Sequence, residues 1–260
     1  MIGKKEAYCS KPLLFYESSL FDRRAVVHGM FTRHGGASKA PYATLNVGTM
    51  VGDDAATVFH NRMQIRMALG FTWLATLGQV HGDEILVLRE EPNLFDYQGY
   101  DAIITDRPNT GLMIQQADCQ AVLLHDPVRR VVAAIHSGWR GSVINIIGKT
   151  IRRMEDAFQS TPEHLTAVIS PSLGPCCSEF KNYVRELPED FQRFRVNENH
   201  FNFWEISREQ LEQAGLQPEK IEVAGVCTMC DSDFFSYRRS RKKGRAATGR
   251  CCSVIALWDT

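Results

Sequence analysis

The chain has 260 residues, 44% of them hydrophobic, with 30 basic and 30 acidic side chains that cancel. That length and apolar content suffice to bury a substantial core, and zero net charge argues against broad electrostatic binding to nucleic acid or a membrane surface. No window approaches the ~20 apolar residues a membrane span needs, and the N-terminus, MIGKKEAYCSKPLLF, has no apolar run after its lysines that would make it a signal peptide.

These features point to a soluble cytoplasmic protein. In that setting the eight cysteines default to thiols, metal ligands or nucleophiles rather than disulfides.

In chain order, residues 28–33 (HGMFTR) read as a strand entering the loop His34-Gly35-Gly36-Ala37-Ser38, and Leu45-Asn46-Val47-Gly48 is a second small-residue turn. Residues 54–69 predict a helix, with Val58, Ile65 and Leu69 on one stripe and Gly70 as its stop. Gln79-Val80-His81-Gly82 precedes a strand at 85–88, and 101–105 is another. Apolar runs at 121–124 and 131–135, bounded by turns, read as buried strands. Their ends deliver Cys119 and His136, and the turn Ser137-Gly138-Trp139-Arg140-Gly141 follows.

Residues 142–158 predict one helix, because Val143, Ile147, Ile151, Met154 and Phe158 share a face. Residues 165–169 return as a strand into a loop containing Cys176-Cys177. Ser207-Arg208-Glu209-Gln210 reads as a capping box opening a helix that stops near Gly215. Residues 221–226 and 253–257 are the last strands. Without repeats or linkers, the chain predicts one domain, 1–260, of α/β or α+β type with mixed sheets.

His81, Cys119 and His136 are zinc-competent and lie beside strand ends. Three such ligands with water in the fourth place define a catalytic zinc site, whose water is acidified toward neutral pH. The rival assignment makes Cys119 a nucleophile and His136 its base, with Asp118 or Gln79 as orienting group. Cys227-Thr228-Met229-Cys230 is a CxxC, but no second Cys or His pair lies at ribbon spacing, so it reads as two reduced cysteines. Arginines beside glycine or in turns (Arg33, Arg62, Arg140, Arg238, Arg239, Arg250) suit phosphate or carboxylate. The basic run 238–245 (RRSRKKGR) reads as a solvated loop.

Thr32-Arg33-His34-Gly35-Gly36, Leu45-Asn46, Asn61-Arg62, Gln79-Val80-His81-Gly82, Ala117-Asp118-Cys119, His136-Ser137-Gly138-Trp139-Arg140-Gly141, Gly174-Pro175-Cys176-Cys177, Phe235-Ser236-Tyr237-Arg238-Arg239 and Thr248-Gly249-Arg250 occur in that order. Over nearly its whole length the chain thereby resembles the YfiH family, also called the laccase-domain or multicopper-polyphenol-oxidase-like family. The resemblance implies an α+β fold, a single-domain layered α-β-β-α sandwich with mixed β-sheets. It implies a zinc site of His81, Cys119 and His136, with copper as the alternative metal. It also implies a purine nucleoside phosphorylase acting on adenosine, inosine and S-methyl-5'-thioadenosine, with adenosine deaminase activity. Older family labels are a copper-dependent polyphenol oxidase and an amidase editing peptidoglycan precursors, which would use the same metal or Cys119 as nucleophile.

The implied partners are purine nucleosides and phosphate, with no nucleic acid and no membrane. Arg33 and Arg140 are then expected to hold phosphate and Asn46 a ribose hydroxyl, with Arg62 completing the substrate shell. A regular strand at Cys119 would turn the adjacent Asp118 to the opposite face, which makes it a supporting residue rather than a proton shuttle. Two departures stand out: Ser137 where the family often has Ala, and Ser178-Glu179-Phe180 where it often has Tyr-Glu-Val, which puts one pocket wall in question.

Overall fold

The computed structural model describes residues 1–8, 12–244 and 247–259. Cys9 and Arg245 lie outside the described residues. The strands are β1 (Ile2–Tyr8), β2 (Pro12–Ser18), β3 (Val26–Phe31), β4 (Trp73–Gly78), β5 (Ile85–Val87), β6 (Tyr97–Gln98), β7 (Ala102–Thr105) and β8 (Thr110–Gln116). They continue with β9 (Gln120–Asp126), β10 (Val131–Ser137), β11 (Thr166–Ile169), β12 (Arg195–Asn197), β13 (His200–Phe201), β14 (Ile221–Val223) and β15 (Cys251–Leu257). The α-helices are α1 (Ala55–Leu69), α2 (Trp139–Val143), α3 (Ile146–Phe158), α4 (Tyr183–Glu186), α5 (Phe203–Gln213) and α6 (Tyr237–Lys242).

Two large mixed sheets form. One has the order β1-β2-β3-β15-β8-β4-β6 and the other β14-β11-β9-β10-β7-β5. Parallel pairs (β4 with β8, β5 with β7, β11 with β14) sit among antiparallel ones.

The alternation of side chains along a strand sorts them into layers. In β9, Ala121 and Leu123 join a core shared with Leu112 and Ile114 of β8 and Ile255 of β15, while Val122 and Leu124 face a cluster with Ile147, Ile151 and Met154 of α3 and Leu211 of α5. The other sheet's outer face, with Met113 and Val254, packs on Ile65 and Leu69 of α1. The order is therefore α1, sheet, sheet, α3 with α5: an α-β-β-α sandwich. A strand covered on both faces has no polar side, so the central strands read as unbroken apolar runs.

Local signals explain most helix ends. Asp54 caps α1 by accepting from the Thr57 N–H at 2.8 Å, and Gly70 closes it in the left-handed region at φ 78°. Three expectations are corrected. The helix read at 142–158 is two helices, because Asn145 adopts φ 52° and ψ 54° and its side chain caps α3 at the Gly148 N–H. The helix read as opening at Ser207 begins at Phe203, with Asn202 as cap, so Ser207 and Gln210 are buried helix-interior residues. The basic run contains helix α6, capped by Ser236.

Candidate metal centre

The site forms where the two sheets hand the chain over. β8 belongs to one sheet and β9 to the other, and the crossover is Ala117-Asp118-Cys119. Asp118 takes φ 85° there, so the segment is a turn rather than a regular strand. Its carboxylate is nonetheless turned to a supporting task, accepting from the Thr228 hydroxyl at 2.8 Å and the Arg238 N–H at 2.6 Å. Register places His136 opposite Ala121 on β9, which brings it beside Cys119. His81 arrives from the loop after β4, at φ 62°, a conformation L-residues rarely adopt unless their surroundings enforce it.

Here the surroundings are Asp101. Its fully buried carboxylate accepts from the backbone N–H groups of Val80, His81 and Gly82 at 3.1, 3.0 and 2.7 Å. The same carboxylate lies 2.7 Å from Nδ1 of His136. One side chain thus positions two of the three candidate ligands. Burial opposes its charge, but the bonds from His136 and from the Gly82 N–H hold its carboxyl below the usual range.

The donor atoms of His81, Cys119 and His136 all lie within 4.8 Å of one another, and Cys119 Sγ is 3.8 Å from His81 Nε2. A tetrahedral zinc with ordinary Zn–S and Zn–N bonds separates such a pair by about 3.6 Å, so the residues fit the ion. The Asp101–His136 bond fixes the imidazole so that Nε2 is free to point at a metal. The electrostatics agree: although burial opposes it, His136 and His81 bring the Cys119 thiol down to about 6. Burial likewise opposes protonation of His136, yet Cys119 and Asp101 push it up to about 9. Thiolate and imidazolium thus attract one another, and a bound metal would replace the Nε2 proton of His136. At Gly138 a Cβ would lie 3.0 Å from Cys119 Sγ and 3.1 Å from His81 Cδ2, so the turn after His136 has no room for a side chain.

Two cavities meet at Cys119. The larger, about 390 Å³, is walled by Trp139, Phe180, Phe203, Tyr237 and Arg238. The smaller, about 150 Å³, is lined by Gln79, Asp96, His136 and Arg250 among others. Ser178 and Phe180 both line the larger one. The aromatic group on that wall therefore comes from the third residue of Ser178-Glu179-Phe180 rather than the first.

The sequence-derived substrate residues are spread more widely. Arg140 is exposed, with its guanidinium over the Trp139 ring at 4.4 Å. Arg33 donates to the Ala43 carbonyl at 2.7 Å and lies over the Phe235 ring, outside both cavities. Asn46 is fully buried and accepts from the Arg250 N–H at 2.8 Å. Arg62 pairs with Asp96 at 2.7 Å and donates to the Val47 carbonyl. Of the orienting groups read from the sequence, Gln79 is bonded to the Gln115 backbone instead of to His136. Asp101 went unnamed, and the arginines that line the cavities are Arg238 and Arg250.

Residues 27–258 match the family described as "Multi-copper polyphenol oxidoreductase laccase". The chain belongs to that family. It is 33% identical to a purine nucleoside phosphorylase of Bacteroides thetaiotaomicron, over 92% of this chain and 96% of the relative. A purine nucleoside phosphorylase of Deinococcus radiodurans is 34% identical, over 90% of each chain. The solved structure of YlmD from Geobacillus stearothermophilus superposes with a TM-score of 0.86 at 27% identity, covering 99% of this chain and 100% of that one. That of Bacillus licheniformis YfiH gives 0.81 at 31% identity, covering 89% and 92%.

Proposed function

We propose that this chain is a zinc-dependent purine nucleoside phosphorylase of the cytoplasm. We assign it adenosine, inosine and S-methyl-5'-thioadenosine as substrates, with adenosine deaminase activity at the same centre. The observation that carries the proposal is that an aromatic-walled cavity and a smaller arginine-lined one open on the same Cys119. The names of the relatives above support it.

His81, Cys119 and His136 would hold the metal. When bound, zinc supplies Lewis acidity and brings water within reach of ionisation near neutral pH. Trp139, Phe180, Phe203 and Tyr237 offer flat apolar faces to a purine. Arg250 lies in the smaller cavity, its guanidinium held to the Thr248 and Gly249 carbonyls at 3.0 and 3.2 Å, and is placed to hold phosphate. In phosphorolysis the C1'–N9 bond breaks, a C1'–O bond to phosphate forms, and the departing purine takes up a proton. Asp118, Glu179 and Glu186 line the larger cavity; with Asp118 held by Thr228 and Arg238, the two glutamates are the carboxylates left to serve that proton. Arg140, at the exposed edge of Trp139, extends the cationic rim. Asn46 positions Arg250, and Arg62 pins Asp96, so both act one bond behind the substrate. We place Arg33 in the same supporting layer.

The oxidase label of the family describes oxygen reduction by several coppers. Among the described residues the only metal-ligating group containing histidine holds two of them, with one cysteine, a set that suits a single ion. The peptidoglycan-editing amidase would occupy the same cavities but has no use for phosphate.

The variant that tests the site is Cys119→Ala. It should lose the metal of this centre and turnover while keeping its far-UV circular dichroism and cooperative unfolding, because Cys119 lies in a crossover turn rather than in the core. Full turnover by this variant would remove the site assignment.

A further inference from the structure

A second group of ligand-type side chains lies apart from the centre just described. Because β11 and β14 are parallel neighbours, the loops leaving them emerge together. One carries Cys176-Cys177 and the other Cys227-Thr228-Met229-Cys230. The CxxC therefore has the second half that its sequence spacing does not reveal. We propose that Cys176, Cys177, Cys227 and Cys230 form a tetrathiolate zinc site that clasps these two loops and so shapes the wall of the substrate cavity.

Geometry is the first argument. The four sulfurs all lie within 4.8 Å of one another. Cys230 Sγ is 3.7 Å from Cys176 Sγ and 3.5 Å from Cys177 Sγ. Four sulfurs at ordinary Zn–S distance around a tetrahedral ion are separated by about 3.8 Å. The thiols are thus arranged as ligands around a common centre.

The surroundings are the second argument. The Gly174 N–H donates to Cys227 Sγ at 3.3 Å, the kind of backbone bond that steadies a metal-bound thiolate. Tight turns set both pairs: the Cys177 N–H donates to the Gly174 carbonyl at 2.9 Å, and the Cys230 N–H to the Cys227 carbonyl at 3.1 Å. Four thiolates around a divalent ion leave net negative charge. Arg239 lies against the CxxC turn, donating to the carbonyls of Thr228, Met229 and Asp231 at 2.7, 2.9 and 3.1 Å.

The link to the cavity is the third. Leu173 and Ser178 flank the Cys176-Cys177 turn, and both line the larger cavity. Thr228, between Cys227 and Cys230, donates to Asp118, the neighbour of Cys119. A metal here would fix the distance between the loop that carries this wall and the loop that braces the crossover. All-sulfur tetrahedral sites select zinc or iron, and closed four-ligand sites are structural.

The test is metal stoichiometry and spectroscopy on full-length protein purified under reducing conditions. Wild type should carry two zinc per chain. Cys119→Ala should keep one, and after replacement by cobalt that one should show the thiolate-to-cobalt charge transfer and intense d–d bands of a tetrathiolate. Cys227→Ser with Cys230→Ser should lose one equivalent, lower the melting temperature and raise KM for nucleoside. Because Cys119→Ala alone reports on the sulfur cluster, the test does not depend on the double variant folding. It also keeps this proposal separate from the phosphorylase assignment, which turnover tests. Cys119→Ala with no metal, iron in the place of zinc, or disulfides among the four cysteines in the intact mass would each overturn the proposal.

Discussion

Asp101 is the residue on which the candidate metal centre most depends. It holds His136 by one oxygen and the His81 loop by three backbone N–H groups, so its charge orients one ligand and its shape places another. Asp101→Asn keeps the shape and removes the charge. We expect it to weaken zinc binding by about 10- to 100-fold, measured by competition with a chelator, with folding retained. Unchanged affinity would show that Asp101 is only a brace for the loop. The three side chains that converge here were legible as candidates, because their residue types stand at strand ends inside recognisable motifs. Asp101 was not, since a single aspartate before a short apolar strand has no signature. Its partner is decided by the pairing of β7 with β10, which aligns Ala102 with Ile135. Arg250 is a similar case: its place beside the centre comes from β15 lying next to β8, a pairing distant in sequence.

Elements were legible where a period and a cap agreed. Asp54 and Gly70 bracket α1 as read, and the apolar runs of β9 and β10 mark a sheet covered on both faces. The break between α2 and α3 was hidden, because the apolar stripe continues through it while Asn145 alone turns the backbone. The hairpin of β1 and β2 escaped for the opposite reason: β1 is an edge strand with Lys4, Lys5 and Glu6 in its middle. Helix α3 carries much of the outer core, and Ile151 is 1% exposed within it. Ile151→Ala should lower the unfolding free energy by about 2–5 kcal/mol, read from the urea midpoint, while the folded fraction still binds metal. A loss below about 1 kcal/mol would mean that the α3 face is loosely packed.

For the whole molecule, the layered architecture followed from the family resemblance rather than from periodicity, which gives faces but not the order of strands. Acid sensitivity is a property at this scale. His28 is fully buried on β3, where its Nε2 accepts from the Ser18 N–H at 2.8 Å, and burial, with Arg23 nearby, lowers it to about 3. Burial similarly lowers His125 to about 4. Both folded values lie below the ordinary 6.5, so between those limits the unfolded chain binds more protons than the native one. The stability these histidines contribute is complete above about pH 6.5 and is lost as pH falls toward the folded values. Melting temperature should therefore drop as the solution is acidified through that window. His28→Gln, which offers an acceptor that does not titrate, should flatten the drop, and an equally steep profile in the variant would exclude His28 as its source.

The proposed function rests on two cavities sharing one centre, and the measurement that tests it most directly is adenosine turnover by zinc-loaded protein with and without phosphate, products separated by chromatography. The account predicts adenine and ribose 1-phosphate only when phosphate is present, with inosine forming in its absence. A zinc-loaded protein that yields no purine product in either condition would contradict it, and the cavities would then be tested with a nucleotide-linked muramoyl amino acid.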